Sequence, residues 1–563
     1  MTTRRPSPIR ILALALASFL VPTAAANAGP AQFVIVNVNA AGVGFNDPTP
    51  AAPVGGNTGT TLGEQRLIAF TYAASLWSAR LDSNVPIRIR AQFTSLAAGV
   101  LGSAGPIQVF RDFPNAPLAQ TWYHVALANK LAGVDLSPTT DDINANFSTN
   151  FNFYLGLDNG HGELNDLVTV LLHEFAHGLG FSQTASLATG AYLAGFPDHY
   201  NSKLLDTVLG LHWNQMTNAQ RLESATRWGK VVWDGELVTA GLPFVLSPGS
   251  PTVDVNSPAS IAGSYQFGTA SFGPRVGSPS VTANVVAAVD AVEATVVGAT
   301  TTDGCSPFDN AAAVAGQIAL VERGQCGFAV KARNASDAGA AAVIIYNNAA
   351  NVNAGPANMG DDGINGAFVT VPTVSLRRAD GVAILGQLAG GVNADIGVDM
   401  TILAGADALG RARVYAPFPV AGGSSISHYD TVAFRNLLME PAINPDLRHR
   451  LKAPHDLTVE LLRDVGWTEP DADGDGYVDD EDCNPNSAIQ PTIILGGVDT
   501  GAPNSVFYGG CTMTDEILQL KATSRNQATF LSALGRLTNL WKSMKLITNA
   551  QRNAILAAAA NLK

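Results

Sequence analysis

A histidine–glutamate–histidine pattern in the first half of the chain has the spacing of a hydrolytic metal site. His173 and His177 are four positions apart, so on a helix they lie about one turn apart on one face, and both imidazoles can bind one Zn²⁺ at roughly 2.0 to 2.1 Å. Glu174 lies beside that face, where it can take a proton from zinc-bound water without being a ligand. The chain has nine histidines among 563 residues, so a chance match is expected in on the order of a few chains per thousand. The pattern therefore predicts a zinc hydrolase rather than a helix with two solvated or core histidines.

Two histidines do not complete such a site, because a catalytic zinc takes three protein ligands and keeps one position open. Gln183 occupies the place where a third histidine would continue the pattern. Gly178 and Gly180 follow directly after the second histidine and predict that the helix ends there. The third ligand must therefore come from elsewhere in the chain.

The segment from His173 to Phe181 resembles the zinc motif of the leishmanolysin branch of the metzincins, in which an insertion separates the glycine from the third zinc histidine. Three later segments, 425–430, 437–441 and 456–467, resemble the closing region of that family in order and spacing. The resemblance implies an α+β catalytic domain with a mixed sheet and an active-site helix.

The same resemblance implies roles for three further residues. It makes His428 the third zinc ligand, and it places Met439, which follows 11 residues later, in a turn beneath the metal. It makes Gly180 the point at which the chain leaves the helix, which suits the freedom of glycine in φ. A carboxylate third ligand, from Asp198 or Asp206, is the alternative. The remaining histidines are expected to be surface, capping or packing residues: His124, His161, His199, His212, His449 and His455.

The N-terminus has the pattern of a signal peptide over residues 1–28. Arginines precede an apolar run from Ile11 to Val21, and small residues at 26–28 offer a cleavage site. This predicts a protein secreted to the extracellular space or the periplasm. No later stretch reaches about 18 uninterrupted apolar residues, so we expect no membrane span. We also expect a monomer.

Charge and length restrict the partners and the architecture. The 46 acidic residues exceed the 33 basic ones, the net charge is -13, and no cluster of lysine or arginine is present. Nucleic acid is therefore excluded as a partner, and protein or peptide substrates are expected. A chain of 563 residues is too long for one hydrophobic core, so several domains are expected.

Four cysteines divide by spacing into two local pairs, Cys305 with Cys326 and Cys483 with Cys511. In an exported chain this predicts two disulfides. All four lie far from the histidine pattern, so neither a cysteine zinc site nor a cysteine nucleophile is expected. No cysteine precedes Cys305, which excludes latency through a cysteine bound to the zinc.

Composition and pattern divide the chain into six parts. The catalytic domain is predicted to be interrupted by an α/β insertion and followed by a metal-binding loop and a mostly helical tail. In chain order the parts are the signal peptide 1–28, the first catalytic part 29–250, the insertion 251–405, the second catalytic part 406–468, the calcium loop 469–484 and the tail 485–563.

The insertion resembles a protease-associated (PA) domain over about 303–388. The residues that carry the resemblance are Cys305, 317–328, Lys331, 334–335 and 338–340. In other proteases such domains are non-catalytic and are thought to steer substrates or to cover the active site. Because the insertion separates the second histidine from the third, its two ends must return close together. An inert, stabilising insertion and a substrate-gating one are equally compatible with the sequence.

An acidic loop follows the second catalytic part. Carboxylates occupy positions 1, 3, 5, 9 and 12 of a twelve-residue stretch, glycine occupies position 6, and the backbone carbonyl at position 7 is the remaining oxygen. The predicted Ca²⁺ ligands are Asp471, Asp473, Asp475, Tyr477, Asp479 and Asp482. The loop resembles the calcium loops of thrombospondin type 3 repeats, and a solvated acidic linker is the competing interpretation.

Together these features predict a secreted zinc metalloendopeptidase in which Glu174 acts as the general base. One alternative is a secreted binding or adhesion protein that retains a metzincin shell without catalysis, and the intact Glu174 argues against it. Another is a zinc hydrolase of a non-peptide substrate, which the resemblance to a PA domain disfavours because such domains accompany proteases.

Overall fold

The computed structural model describes residues 29–277, 279–292, 298–479, 481–507 and 509–562. The predicted signal peptide lies outside these residues. The chain divides into two compact units, one spanning Pro30–Glu469 and one containing Pro470–Lys563. Within the described residues, no helix is both long and apolar enough to cross a membrane.

The first unit contains a four-stranded mixed sheet that supports the histidine pattern. Its strands, in spatial order, are Phe33–Asn37, Ile87–Thr94, Ile143–Ser148 and Gly102–Pro106. The first three are parallel and the last is antiparallel to its neighbour. The sequence alternates between apolar and polar residues over 85–91, a pattern that predicts an edge strand, yet Ile87–Thr94 lies between two other strands. The alternation instead reflects one covered and one polar face of the sheet.

Two helices, Leu62–Ser78 and Leu167–Leu179, pack on this sheet, and the helix Val125–Ala132 contacts the second of them. Leu62–Ser78 begins at a capping box in which Thr61 and Glu64 satisfy each other's backbone N–H groups. The rings of Phe70, Phe147 and Phe175 join helix to helix and helix to strand, because the Phe70 ring lies 5.0 Å from that of Phe147 and 6.0 Å from that of Phe175. The aromatic core thus fixes Leu167–Leu179, called the histidine helix below, against the sheet.

Smaller elements complete the catalytic part. A three-stranded sheet is formed by Leu204–Asp206, Leu211–His212 and Val231–Trp233, and further helices are Asn218–Ser224, Glu236–Val245 and Thr458–Asp464. Two short pairs join Val109–Phe110 to Tyr123–His124 and Phe153–Tyr154 to Asn165–Asp166.

The insertion forms its own eight-stranded sheet within the first unit. Its spatial order is Gly263–Ser264, Pro248–Ser257, Asn393–Leu403, Val281–Ala287, Ile318–Glu322, Ala342–Tyr346, Thr373–Leu376 and Gly268–Thr269. The helices Ala311–Val314, Phe328–Asp337 and Arg378–Gln387 accompany it. The long first and last strands of the insertion pair antiparallel, with Val253 opposite Ile396. This pairing returns the two ends of the insertion to the same place.

The second unit has a hairpin of Thr492–Leu495 and Val498–Pro503 and three helices, Met513–Thr523, Gln527–Ser543 and Asn549–Ala560. Its core includes Ile493, Phe530 and Trp541. The helical tail is as predicted, whereas the hairpin is not anticipated by the sequence analysis.

Candidate metal centre

The histidine helix is buried along its whole length. Its N-cap is Asp166, whose side chain accepts a hydrogen bond from the backbone N–H of Val168. It ends at Gly180, where φ is +135°, a value open to glycine and strained for other residues. The chain leaves the helix where the sequence analysis places the exit.

The structure brings the three predicted histidines together. The Nε2 atoms of His173, His177 and His428 are each 3.2 Å from the other two, although His428 lies 251 positions after His177. All three side chains are buried. Among the described residues they form one of two groups whose ligand atoms converge closely enough to hold a metal ion.

Each of these imidazoles donates a hydrogen bond from its other ring nitrogen, Nδ1, to a backbone carbonyl. His173 Nδ1 donates to Leu438 O at 2.7 Å, His177 Nδ1 to Phe181 O at 2.8 Å, and His428 Nδ1 to Ser424 O at 2.7 Å. The carbonyl acceptors fix the proton on Nδ1, so the three Nε2 lone pairs face one another.

Burial keeps these imidazoles neutral. It lowers the pKa of His173 to about 3, with a further contribution from His177, and that of His177 to about 4. Burial, together with the other two histidines, also lowers the pKa of His428 well below its usual value. Three neutral Nε2 acceptors cannot hydrogen-bond to one another, and a cation between them satisfies all three.

The triangle of nitrogens has the size that zinc requires. Ligand nitrogens of a tetrahedral zinc site, each about 2.05 Å from the metal, lie roughly 3.3 Å from one another. The three Nε2 atoms are 3.2 Å apart. The donor set and its spacing therefore fit Zn²⁺.

Glu174 lies beside the three imidazoles and is 7% exposed. Burial raises the pKa of its carboxyl to about 8, against the opposing effect of a hydrogen bond from the backbone of Ala104. A divalent cation at the imidazoles would stabilise the carboxylate and lower this pKa. Gly102 approaches the same side chain so closely that a Cβ there would lie 2.9 Å from Glu174 Cγ.

An open cleft of about 640 Å³ exposes the free side of the centre. Apart from the three histidines, Glu174 is the one titratable side chain among the described residues that line it. One wall is the strand Gly102–Pro106, called the cleft strand below, with the preceding 99–101. The remaining lining residues are Phe151, Asn165, Val170, 422–424 and 441–443.

Met439 is fully buried one residue after Leu438, whose carbonyl holds His173. Its own carbonyl accepts a hydrogen bond from the backbone N–H of Tyr429 at 2.8 Å. The turn that carries Met439 is thereby tied to two of the three histidines, directly to His173 and through Tyr429 to the adjacent His428.

The alternative third ligands are engaged elsewhere. Asp198 accepts hydrogen bonds from the backbone N–H and the hydroxyl of Thr184. Asp206 accepts from the backbone N–H groups of Val208 and Leu209 and pairs with Arg227 at 2.8 Å. Neither belongs to the converging group.

Tyr429 follows His428 directly and is by its position a candidate for stabilising an oxyanion, yet it does not line the cleft. Its hydroxyl donates to Leu457 O at 3.1 Å, and its ring packs edge-on against Phe181. The residue is a packing residue of the core.

Sequence reasoning misses one partner of the histidine helix. His449 Nε2 lies 2.6 Å from Asp166 Oδ2, and both side chains are buried. The sequence predicts a helix that starts near Asn165 or Asp166 but gives no signal that pairs this start with a histidine 283 positions away.

In the acidic loop, several of the predicted carboxylate ligands lie close together. Carboxylate oxygens of Asp471, Asp473 and Asp475 lie within 4.8 Å of one another. Asp475 Oδ2 and Asp482 Oδ2 are buried without a hydrogen-bond partner, and burial raises the pKa of both carboxyls. Asp479 instead accepts from the backbone N–H of Ala472. Orphaned carboxylate oxygens beside a convergent acidic trio fit a hard divalent cation.

Both predicted disulfides are confirmed. Cys305 is bonded to Cys326 and Cys483 to Cys511. The first lies within the insertion and the second within the second unit.

Comparison with known proteins identifies the insertion. The family model "PA domain" matches residues 281–384. The chain thus is an α+β multidomain protein with an inserted PA domain, as predicted.

Curated relatives match the chain over short stretches. "Probable leucine aminopeptidase 2" of Aspergillus fumigatus is 38% identical over 100 residues, which are 18% of this chain and 19% of the relative. "Aminopeptidase" of Pseudomonas aeruginosa is 56% identical over 50 residues, 9% of each chain. "ER degradation-enhancing alpha-mannosidase-like protein 3" of Homo sapiens is 40% identical over 86 residues, 15% of this chain and 9% of the relative. The chain therefore spans less than a fifth of the length of each of these relatives.

Two solved structures each match less than a third of this chain. A zinc aminopeptidase from Bacillus subtilis matches with a TM-score of 0.20 and 23% identity, covering 29% of this chain and 36% of that one. An aminopeptidase from an Aneurinibacillus species matches with a TM-score of 0.19 and 25% identity, covering 27% and 31%. Because the matched stretches are short and belong to proteins named both as peptidases and as mannosidase-like, they do not define the activity of the catalytic part.

Proposed function

We propose that this protein is a zinc-dependent peptidase and, more specifically, an endopeptidase. The observation that carries the proposal is the convergence of three neutral Nε2 atoms, mutually 3.2 Å apart, beside Glu174 at the base of an open cleft. Short stretches of the chain are also similar to relatives that are named aminopeptidases, which agrees with a peptidase.

The chain's own residues would divide the chemistry among them. When bound by His173, His177 and His428, zinc would polarise a substrate carbonyl and lower the pKa of a water molecule. Glu174 would accept the proton of that water and deliver it to the leaving amine. The three carbonyls at Leu438, Phe181 and Ser424 would hold the imidazoles in the ligating tautomer.

Two features of the cleft favour cleavage within a polypeptide. The cleft strand pairs on one side with Ile143–Ser148, and no other strand of the described chain pairs with its far side, so an extended substrate backbone can add there. The lining residues of the described chain include no carboxylate besides Glu174 that could hold a free α-ammonium group. An aminopeptidase, the activity that some relatives' names print, would need such a group.

The metzincin assignment is part of this proposal. The comparisons do not support it, and it rests on the histidine motif, on His428 and on the buried Met439. We also propose secretion, from the predicted signal peptide, and Ca²⁺ binding by the acidic loop, from the two orphaned oxygens of Asp475 and Asp482.

Peptide hydrolysis separates the candidate functions. We expect the purified protein to cleave casein and an internally quenched peptide blocked at both ends, with loss of activity in a chelator and recovery with Zn²⁺. Glu174→Ala should abolish cleavage while the exposed Glu236→Ala does not. Cleavage of leucine p-nitroanilide alone would instead establish an aminopeptidase. Zinc binding without hydrolysis of any peptide would favour a non-catalytic or non-peptide role.

A further inference from the structure

We propose that the PA domain positions the third histidine of the metal centre by holding Phe418, the first residue of the loop 418–428, called the His428 loop below. The inference rests on the proposed function, in which His428 binds zinc. Under this inference the insertion supports the metal centre and is not merely an inert, stabilising domain.

Two side chains of the insertion hold Phe418, Gln266 from the segment before the matched PA domain and Arg377 from within it. Gln266 Oε1 accepts a hydrogen bond from the backbone N–H of Phe418 at 3.0 Å. The guanidinium carbon of Arg377 lies 5.1 Å from the centroid of the Phe418 ring, within the range of a cation–π contact. Arg377 is itself fixed by Asp380, whose carboxylate lies 2.7 Å away.

A backbone contact limits the same residue from another side. A Cβ on Gly355 would lie 2.4 Å from Phe418 O and 3.4 Å from Pro419 Cδ, so the backbone of Gly355 is packed directly against the loop. Asn347, a buried residue, holds Gly355 in place by donating from Nδ2 to its carbonyl at 2.8 Å. The backbone of Gly355 therefore limits how far the start of the His428 loop can move toward the PA domain.

Hydrogen bonds carry this constraint along the loop to the imidazole. The backbone N–H of Ala421 donates to Ser425 Oγ, and that of Ser425 donates to Ala421 O, each at 2.9 Å. The turn they form presents Ser424 O, which accepts the hydrogen bond of His428 Nδ1 at 2.7 Å. A shift at Phe418 would thus move the carbonyl that orients the third ligand.

Backbone strain next to the ligand makes the loop depend on such support. Ile426 has φ +71° and is fully buried, a conformation that β-branched residues rarely adopt. It is held by a hydrogen bond from its N–H to Tyr415 O at 2.8 Å. Strained residues of this kind persist only where the surrounding structure fixes them.

The expected size of the effect follows from outer-shell partners of metal ligands. Disturbing the acceptor of a ligating histidine typically weakens metal affinity by about 10- to 100-fold. The PA domain should therefore change zinc affinity and kcat.

The test compares two glycine substitutions in the PA domain of the full-length protein. Gly355→Ala inserts a methyl group against Phe418 O, whereas Gly386→Ala adds the same group where nothing lies within 4 Å. For each variant, zinc affinity is measured by chelator competition, kcat and KM with a quenched peptide, and amide hydrogen exchange over 420–429 and over the histidine helix.

Gly355→Ala should weaken zinc binding by about tenfold or more, lower kcat and speed exchange in 420–429, with the histidine helix unchanged. Gly386→Ala should match the wild-type protein. If Gly355→Ala does not fold, Gln266→Ala, which removes only the acceptor of the Phe418 amide, is read in the same way. Zinc affinity equal to that of the wild type overturns the proposal.

Failure of the proposed function gives a different result. If the wild-type protein binds zinc but cleaves no peptide, the proposed peptidase function is wrong. The zinc affinities of the variants still decide whether the PA domain positions His428. If the wild-type protein binds no zinc, exchange in 420–429 decides alone, and equal rates in Gly355→Ala and wild type overturn the coupling.

Discussion

His449 Nε2 lies 2.6 Å from Asp166 Oδ2 in the core, so the residue that caps the histidine helix is paired with a side chain 283 positions later. Asp166 also accepts from the Val168 N–H and the Thr169 hydroxyl. The start of the helix is thereby tied to the segment that follows the Met439 turn.

Removing this partner should destabilise the first unit. His449→Ala leaves Asp166 Oδ2 without its closest partner in a buried place, and we expect a loss of about 1 to 3 kcal/mol in the free energy of unfolding. Urea unfolding measures it. The exposed His455→Ala should change stability by less than about 0.5 kcal/mol. Equal midpoints for the two variants would show that the pair contributes little.

His428 should be required for tight zinc binding. His428→Ala removes one of three donors, so its zinc affinity should fall by on the order of 100-fold or more, beyond the effect of losing an outer partner. Chelator competition with metal analysis measures this. His455→Ala is the matched control, and Asp198→Asn should keep its zinc. Zinc retained in His428→Ala but lost in Asp198→Asn would reassign the third ligand.

Gly102 should control the position of the proposed general base. Gly102→Ala places a Cβ 2.9 Å from Glu174 Cγ and 3.1 Å from Glu174 Oε1, so the carboxylate must move. We expect kcat to fall by about tenfold or more with zinc content unchanged. Gly105→Ala lies in the same strand with nothing within 4 Å and should keep wild-type kcat. A shared loss in both variants would point to the strand rather than to Glu174.

Glu440 should make stability depend on pH. Its side chain accepts from the backbone N–H of Leu437 at 2.7 Å, and burial raises its pKa to about 8. Between the ordinary value of 4.5 and about 8, the folded protein keeps a proton that the unfolded chain releases, so this group lowers stability as pH rises. Glu440→Gln should remove on the order of 2 kcal/mol of that decline. Urea unfolding at pH 5 and pH 8 tests it, and identical slopes for both proteins would contradict it.

Calcium should stabilise the second unit through the acidic loop. Asp475→Asn removes the charge of an orphaned carboxylate, so Ca²⁺ affinity should fall roughly tenfold or more, by analogy with the dependence of loop affinity on ligand charge. Calorimetric titration with Ca²⁺ measures it. Asp499→Asn, on the hairpin of the same unit, is the control. No heat of binding in the wild-type protein would leave the loop as a solvated linker.

Local patterns predict much of the site. The four-residue spacing of His173 and His177 and the glycine at 180 define the helix and its end because both depend on neighbouring residues alone. His428 came from resemblance to a family. The carbonyls of Leu438 and Ser424 could not be predicted, since backbone acceptors carry no side-chain signature and meet the histidines only in the folded chain.

Other elements show the same limit. The hairpin 492–503 is missed although Gly496 and Gly497 form a two-residue turn typical of hairpins. The alternation over 85–91 predicts an edge strand, but alternation reports that one face of the sheet is covered and not how many neighbours the strand has. Both errors concern pairing partners, which are distant in sequence.

The separation of the three imidazoles has a consequence for biosynthesis. A growing chain that has been translated only through the PA domain carries two of the donors and lacks the third, because His428 follows the insertion. Under the proposed function, a complete metal centre would form only after the segment that carries His428 has been made and has folded. The order of the segments would thus delay self-digestion during synthesis.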